Sequence, residues 1–274
     1  MVVGDAGMVR VHIHTHDSAA VIQTASAWGQ IMDTDIRNMD EQHQDFLLMK
    51  RTKTSTLDTA VIAVVNGPGL VNVFADLGAA AIVSGGKTMN PSTMDILRTV
   101  EKVDANNIII LPNNKNVIPT AMLVQSLTKK NLRVIPTKSI PQGISSMVEY
   151  IPEADFETNA KLMEANIATV KTIEITQAIS SAKVNGLDIK PGQFLGLLDG
   201  ELLAASNTAD EAIFKLSGII DWSKSSVVTL YYGKETSEAR AEQIKVKISE
   251  RYPQLAVGVV NGGQPNYQYI ISVE

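Results

Sequence analysis

The stretch TAVIAVVNGPGLVNVFADLGAAAIVSGGKTMNPST, residues 59–93, decides the fold. TAVIAVV (59–65) is a continuous apolar run of strand length and composition, closed by the turn-forming NGPG. A helix ending at Gly78 follows, and then a second apolar strand, AAAIVS. The same unit repeats downstream. The helix PSTMDILRTVEKV leads to the strand NIIILP (107–112), the loop NNKN and the helix IPTAMLVQSLTKK; the strand LRVIPT (132–137) leads to KSIPQG and the helix ISSMVEY. Apolar strands alternating with helices predict an α/β fold whose parallel sheet is covered by helices on both faces. Ligands in such sheets sit outside the carboxyl ends of the strands. Four loops are therefore expected on one rim: 66–69, 84–90, 113–116 and 138–143.

The rim segment SGGKTMNPST (84–93) invites a phosphate-loop reading, and the spacing rejects it. The consensus G-x-x-x-x-G-K-[ST] needs a glycine where Ala81 stands. Asn90 before Pro91 predicts a helix start with Asn90 as cap and Pro91 in the first turn, which leaves Lys87 and Thr88 on a loop. NGPGLV has no third glycine at dinucleotide-fold spacing. The candidate binding residues of the rim are Asn66, Gly67, Gly69, Gly85, Gly86, Lys87, Thr88, Asn90, Ser92, Asn113, Asn114, Lys115, Asn116 and Lys138. Their amides, hydroxyls and ammonium groups suit an anion or polar head group. They offer neither a carboxylate pair nor a nucleophile–base couple, so no catalytic residue is assigned. The competing reading is that glycine and asparagine only make tight turns here.

Two other segments flank this unit. Residues 155–274 read as an α+β subdomain: a helix near 155–170, the alternating strand TIEITQAI, a hairpin turned at Asp199-Gly200, and helices and strands to the end. Residues 1–50 read as a smaller α+β piece with a hairpin turned at Asp5-Ala6-Gly7, a helix from Ser18 to Trp28 and a returning strand in DTDIRNMDEQH. KRTKTSTLD, with 51–57 at its centre, reads as a linker, and the parallel subdomain then spans 58–154.

On the second strand of the small piece, His12 and His14 share a face roughly 7 Å apart, given a rise of about 3.3 Å per residue. Such a pair can grip zinc, with His16 or Asp17 assisting; the alternative is a solvent-facing polar strand face. With four histidines in the chain, only His43 remains for a second metal, which disfavours a binuclear hydrolase. Two protein ligands leave zinc short of its usual four, so binding is expected to be weak.

Composition bounds the rest. A net charge of −5 without a basic cluster argues against nucleic acid, and the absence of cysteine excludes disulfides and thiolate metal sites within the chain. No apolar run reaches membrane-spanning length and the N-terminus lacks a signal-peptide core, so a cytoplasmic protein that is not an integral membrane protein is expected.

Several motifs carry a resemblance to one family. VRVHIHT (9–15), the run Arg37-Asn38-Met39-Asp40-Glu41-Gln42, VNGPGL, GGKTMNPST, LPNNKN and PTKSIPQG resemble, in that order, segments of the fatty acid kinase A subunit family. The resemblance implies a dihydroxyacetone kinase-like, ATP-dependent kinase whose C-terminal region is DegV-like. It implies that this chain corresponds to the end of the middle domain plus the C-terminal region, with Met1 at an internal position. ATP and magnesium would then belong to an ATP-binding domain outside this sequence. The family metal site would include His12 and His14 but an upstream cysteine that is absent here. The implied partner is a fatty-acid-binding B subunit of the DegV family, with homodimerisation open. The implied role is non-catalytic docking of that partner for acyl phosphate formation. The alternative is a DegV-like module that binds a small ligand or fatty acid itself, and metal-dependent hydrolysis through His12 and His14 is a third reading.

Overall fold

The computed structural model describes residues 2–4, 9–11, 18–32, 34, 58–85 and 90–274. The chain divides into two compact units, Met1–Lys53 and Thr54–Glu274. In the first, β1 (Val2–Gly4) and β2 (Val9–Val11) pair antiparallel with Val2 opposite Val11, the hairpin the sequence indicates. Helix α1 covers Ser18–Trp28, and the Gly29 N–H donates back to the Ala25 carbonyl at 3.2 Å. The turn residues 5–8, the returning segment 35–43, the linker 51–57 and all four histidines lie outside the described residues.

In the second unit the apolar runs become β3 (Thr59–Val64), β4 (Ala81–Val83), β5 (Asn107–Leu111) and β6 (Asn131–Val134). They form a parallel sheet in the order β4-β3-β5-β6. Helices α2 (Pro68–Asp76), α3 (Thr93–Lys102), α4 (Ile118–Gln125) and α5 (Ile140–Val148) connect and follow the strands. Strand β3 shows why the run is apolar throughout. Val61 and Ala63 enter the core beneath α2 and α5, with Leu70, Phe74, Ile144 and Met147. Ala60, Ile62 and Val64 enter the core beneath α3 and α4, with Ile96, Val100, Ala121 and Val124. A strand buried on both faces has no polar side to alternate.

Helix α6 (Phe156–Ala165) buries Phe156, Ala160 and Met163 in the α2/α5 core. The rest builds a six-stranded sheet from β7 (Lys171–Gln177), β10 (Phe194–Leu198), β11 (Glu201–Ser206), β12 (Val227–Tyr232), β13 (Ala256–Asn261) and β14 (Tyr267–Val273), in the order β11-β10-β7-β14-β12-β13. Only the β12–β13 pairing is parallel in this sheet. One face, with Ile173, Ile175, Leu230 and Ile271, packs under α7 (Ala209–Ser217) and α8 (Glu238–Arg251). On the other face Tyr231 and Ile270 join the α2/α5 core, so the two layers share packing.

Three expected boundaries move. Helix α3 starts at Thr93, not Pro91, because Ser92 and Asp95 form a capping box: the Asp95 N–H donates to Ser92 Oγ at 3.2 Å and the Ser92 N–H to Asp95 Oδ2 at 3.1 Å. Asn90 is therefore not the cap. Segment 138–143 is mostly helix, since Ser139 caps α5 and Pro141 sits in its first turn. Pro68 and Gly69 likewise open α2 rather than extending a loop. A small hairpin, β8 (Ala182–Val184) with β9 (Leu187–Ile189), was not anticipated, although Asn185-Gly186, both at positive φ, is the signal for it.

Candidate functional site

In the sheet order β4-β3-β5-β6 the chain leaves β3 toward β4 and then crosses back to β5. The switch point thus lies between the ends of β3 and β5, and a cavity of about 330 Å³ opens there. Its near wall consists of Val64–Asn66 at the end of β3, Pro112–Asn116 after β5, and Lys138–Ile140 with Gln142 at the start of α5. The six-stranded sheet supplies the far wall: Lys171, Thr172 and Glu174 of β7, Leu197 of β10, the Asp199-Gly200 turn, and Tyr267 and Ile270 of β14.

Asn113 joins the near wall together. It is buried at 7% exposure with φ 55°, a left-handed backbone that asparagine tolerates better than most residues. Its amide Nδ2 donates to the Val64 carbonyl at 3.1 Å, and its Oδ1 accepts from Thr137 Oγ1 at 2.9 Å. Its backbone N–H donates to the same Thr137 oxygen at 3.0 Å. The ends of β3, β5 and β6 are thereby tied through one side chain. Across the cavity, Ser139 Oγ and Thr172 Oγ1 lie 2.7 Å apart, both buried. Asp199, at φ 51°, accepts from the Thr172 N–H at 2.9 Å and pairs with Lys171 at 3.1 Å.

Glu174 is the chemically unusual group. It pairs in register with Leu197 and Ile270, which places it centrally on the sheet face that lines the cavity. Burial pushes its carboxyl from the usual 4.5 to about 7; Lys115 opposes this rise and Asp199 adds to it. Burial, with a smaller contribution from Glu174, raises the neighbouring Tyr267 hydroxyl to about 12. The cavity thus combines ammonium groups from three segments with a carboxyl that exchanges its proton near neutrality.

Of the residues singled out in the sequence, Asn66, Asn113, Asn114, Lys115, Asn116 and Lys138 line the cavity. Gly67 and Gly69 do not, and packing accounts for them: a Cβ on Gly69 would stand 1.7 Å from the Asn261 carbonyl oxygen, and Gly67 has φ 110° with a Cβ position 2.6 Å from Gln264 N. Their place is the close seat of α2 on the β13–β14 connection, where the Leu70 N–H donates to the Gly262 carbonyl at 3.0 Å. Gly85 is buried, and its N–H donates to Asn66 Oδ1 at 3.0 Å. Asn90 is exposed and Ser92 is the α3 cap, both away from the cavity because β4 is the edge strand. Gly86, Lys87, Thr88, His12 and His14 lie outside the described residues. The far wall was missed. Its one sequence signal is Glu174, a lone carboxylate between Ile173 and Ile175 in an alternating strand.

Residues 60–274 match the family model for the C-terminal region of FakA-like proteins, those resembling the A subunit of fatty acid kinase, and residues 1–46 match the model for their middle domain. The chain belongs to the FakA-like fatty acid kinase family. Protein YloV of Bacillus subtilis (strain 168) is 34% identical over 281 residues, a match that takes in 100% of this chain and 51% of YloV. This chain therefore spans about half the length of that relative. Among solved structures, a DegV-family protein of Thermus thermophilus described for its fatty acid binding superimposes with a TM-score of 0.54 at 12% identity, covering 79% of this chain and 99% of that one. The dihydroxyacetone kinase of C. freundii in its native form gives 0.53 at 11% identity, covering 80% of this chain and 48% of that one. At such identities the likeness is one of fold, and it matches the α/β architecture read from the sequence. No described helix is long and apolar enough to cross a membrane.

Proposed function

We propose that this chain is the docking portion of a two-component fatty acid kinase. In this reading it receives a separate fatty-acid-binding B subunit of the DegV family and presents the acyl carboxylate to an ATP-binding domain, which carries ATP and magnesium and forms the acyl phosphate in the cytoplasm. The observation that carries the reading is the match, in order, to both the middle and the C-terminal patterns of the kinase family. The cavity is compatible with it, since its lining among the described residues offers amides, ammonium groups and two carboxyls, Glu174 and the Lys171-paired Asp199, but no nucleophile beside a base. The test is sedimentation velocity of this chain with a purified fatty-acid-binding DegV-family protein from the same organism, alongside an ATP turnover assay. A complex together with background turnover is expected. Absence of a complex, or robust turnover by this chain alone, refutes the proposal.

A second reading has one observation in its favour: the cavity lies at the carboxyl ends of the strands, where α/β folds bind ligands. By this reading the DegV-like region holds a fatty acid itself. The lining argues against it, because charged and amide groups come from both walls where an acyl chain needs an apolar tunnel. Native mass spectrometry of protein made in bacteria separates the two: a co-purified fatty acid favours the second reading.

A further inference from the structure

We propose that the switch-point cavity binds a small phosphoryl-type oxyanion, held by Lys115 and Lys138 opposite Glu174. The inference rests on the cavity alone and stands apart from the kinase reading. Its volume of about 330 Å³ is that of a small-ligand site. The charged lining among the described residues is Lys115, Lys138, Lys171, Glu174 and Asp199. Lys171 and Asp199 neutralise each other across 3.1 Å, and the second Asp199 oxygen accepts from the Thr172 N–H. Lys115 has only a 3.5 Å approach to the Gly200 carbonyl. Lys115 and Lys138, both exposed residues of the lining, are therefore left against a single carboxyl outside that ion pair, Glu174. None of the described lining residues is an arginine, so an oxyanion here meets lysine ammonium groups as point charges, which favour the more highly charged phosphoryl-type anion over a singly charged carboxylate.

Glu174 then acts as the gate. The charged or titratable groups around it are Lys115 from the β5–α4 loop, Lys138 before α5, Lys171 on its own strand, Asp199 from the β10–β11 turn, and Tyr267 from β14. Below about pH 7 the carboxyl holds its proton, and both lysines are available to an anion. Above it, the carboxylate offsets Lys115 and repels the ligand. An anion bound here retains the Glu174 proton, so affinity and protonation are linked.

Isothermal titration with sulfate is the cleanest probe, because sulfate keeps its charge across the range in which phosphate titrates. Sulfate affinity should fall about tenfold or more between pH 6 and pH 8.5 by that linkage. Glu174→Gln should bind at pH 8.5 about as tightly as the unaltered protein does at pH 6, with a flat profile. Lys115→Met and Lys138→Met, checked for an unchanged circular dichroism spectrum, should each weaken binding at least fivefold. Inorganic phosphate, largely the monoanion at pH 6, should bind there more weakly than sulfate, and acetate more weakly still. Absence of sulfate binding at pH 6, a pH profile that persists in Glu174→Gln, or acetate binding as tightly as sulfate overturns the proposal.

Discussion

Replacing Asn113 by alanine removes the side chain that ties three strand ends together, and the structure sets the size of the loss. The two buried side-chain hydrogen bonds, to the Val64 carbonyl and from Thr137 Oγ1, contribute about 1–1.5 kcal/mol each. Alanine at φ 55° adds about 1 kcal/mol of backbone strain. Asn113→Ala should therefore destabilise by about 3–4 kcal/mol. Asn113→Gly loses the same bonds but tolerates the backbone, so it should fall short of alanine by about 1 kcal/mol. Gly143 makes the reasoning sharper. A Cβ there would stand 1.9 Å from Asn113 Oδ1, so Gly143→Ala should expel the amide and sacrifice the same bonds, at about 2–3 kcal/mol. Once Asn113 is alanine the three atoms nearest that Cβ are gone, and alanine inside helix α5 should instead stabilise by about 0.5–1 kcal/mol. Urea denaturation of the two single variants and the double variant closes the cycle. Additive losses, or an Asn113→Ala loss below about 0.5 kcal/mol, would refute the clasp.

Three further perturbations are informative. Because the Glu174 carboxyl is raised from 4.5 to about 7, the folded state binds more protons than the unfolded state in that window; its stability contribution is intact below 4.5 and declines as pH rises toward 7. Glu174→Gln should accordingly gain up to about 3 kcal/mol over the unaltered protein between pH 4.5 and pH 8 in parallel urea titrations, and a constant difference contradicts the assignment. Gly69→Ala drives a Cβ into the Asn261 carbonyl, backbone against backbone, and should cost about 3 kcal/mol or more by thermal melting; a neutral result means α2 is not seated there. Lys130 donates to the Val100 carbonyl at 2.8 Å and to the Val103 carbonyl at the end of α3, so Lys130→Met should cost about 1 kcal/mol, and no loss would deny it a capping role.

How much of this was legible depends on the range of the interactions involved. The parallel sheet was readable because β3 and β5 are apolar without interruption, a pattern that only a strand covered on both faces produces. The Asp199-Gly200 hairpin was readable from two residues that accept positive φ. Helix starts were less so, since Asn90-Pro91 and Ser92 with Asp95 are rival local signals. The capping box prevails because it satisfies two N–H groups with one pair of side chains. The six-stranded sheet was not readable: β7 pairs with β14 across Ile173 and Ile271, and no local pattern specifies so distant a partner.

The candidate site divides along the same line. Its near wall comes from loops that follow consecutive strands, so the parallel-sheet rule alone brought Asn66, Asn113, Lys115 and Lys138 together. Its far wall requires the second sheet to face the rim, which follows from Tyr231 and Ile270 packing into the α2/α5 core. That packing also explains why Glu174 titrates near neutrality. On an isolated strand face the carboxyl would sit in water and keep its usual range, whereas against the rim it loses that water and gains only Lys115 in exchange. Residue type alone therefore misleads at both walls. Gly67 and Gly69 look like ligand-binding glycines and are instead the contact that seats α2 against the Asn261–Gln264 backbone. Glu174 looks like an ordinary strand-surface carboxylate, and its chemistry is conferred by the layer packed across from it.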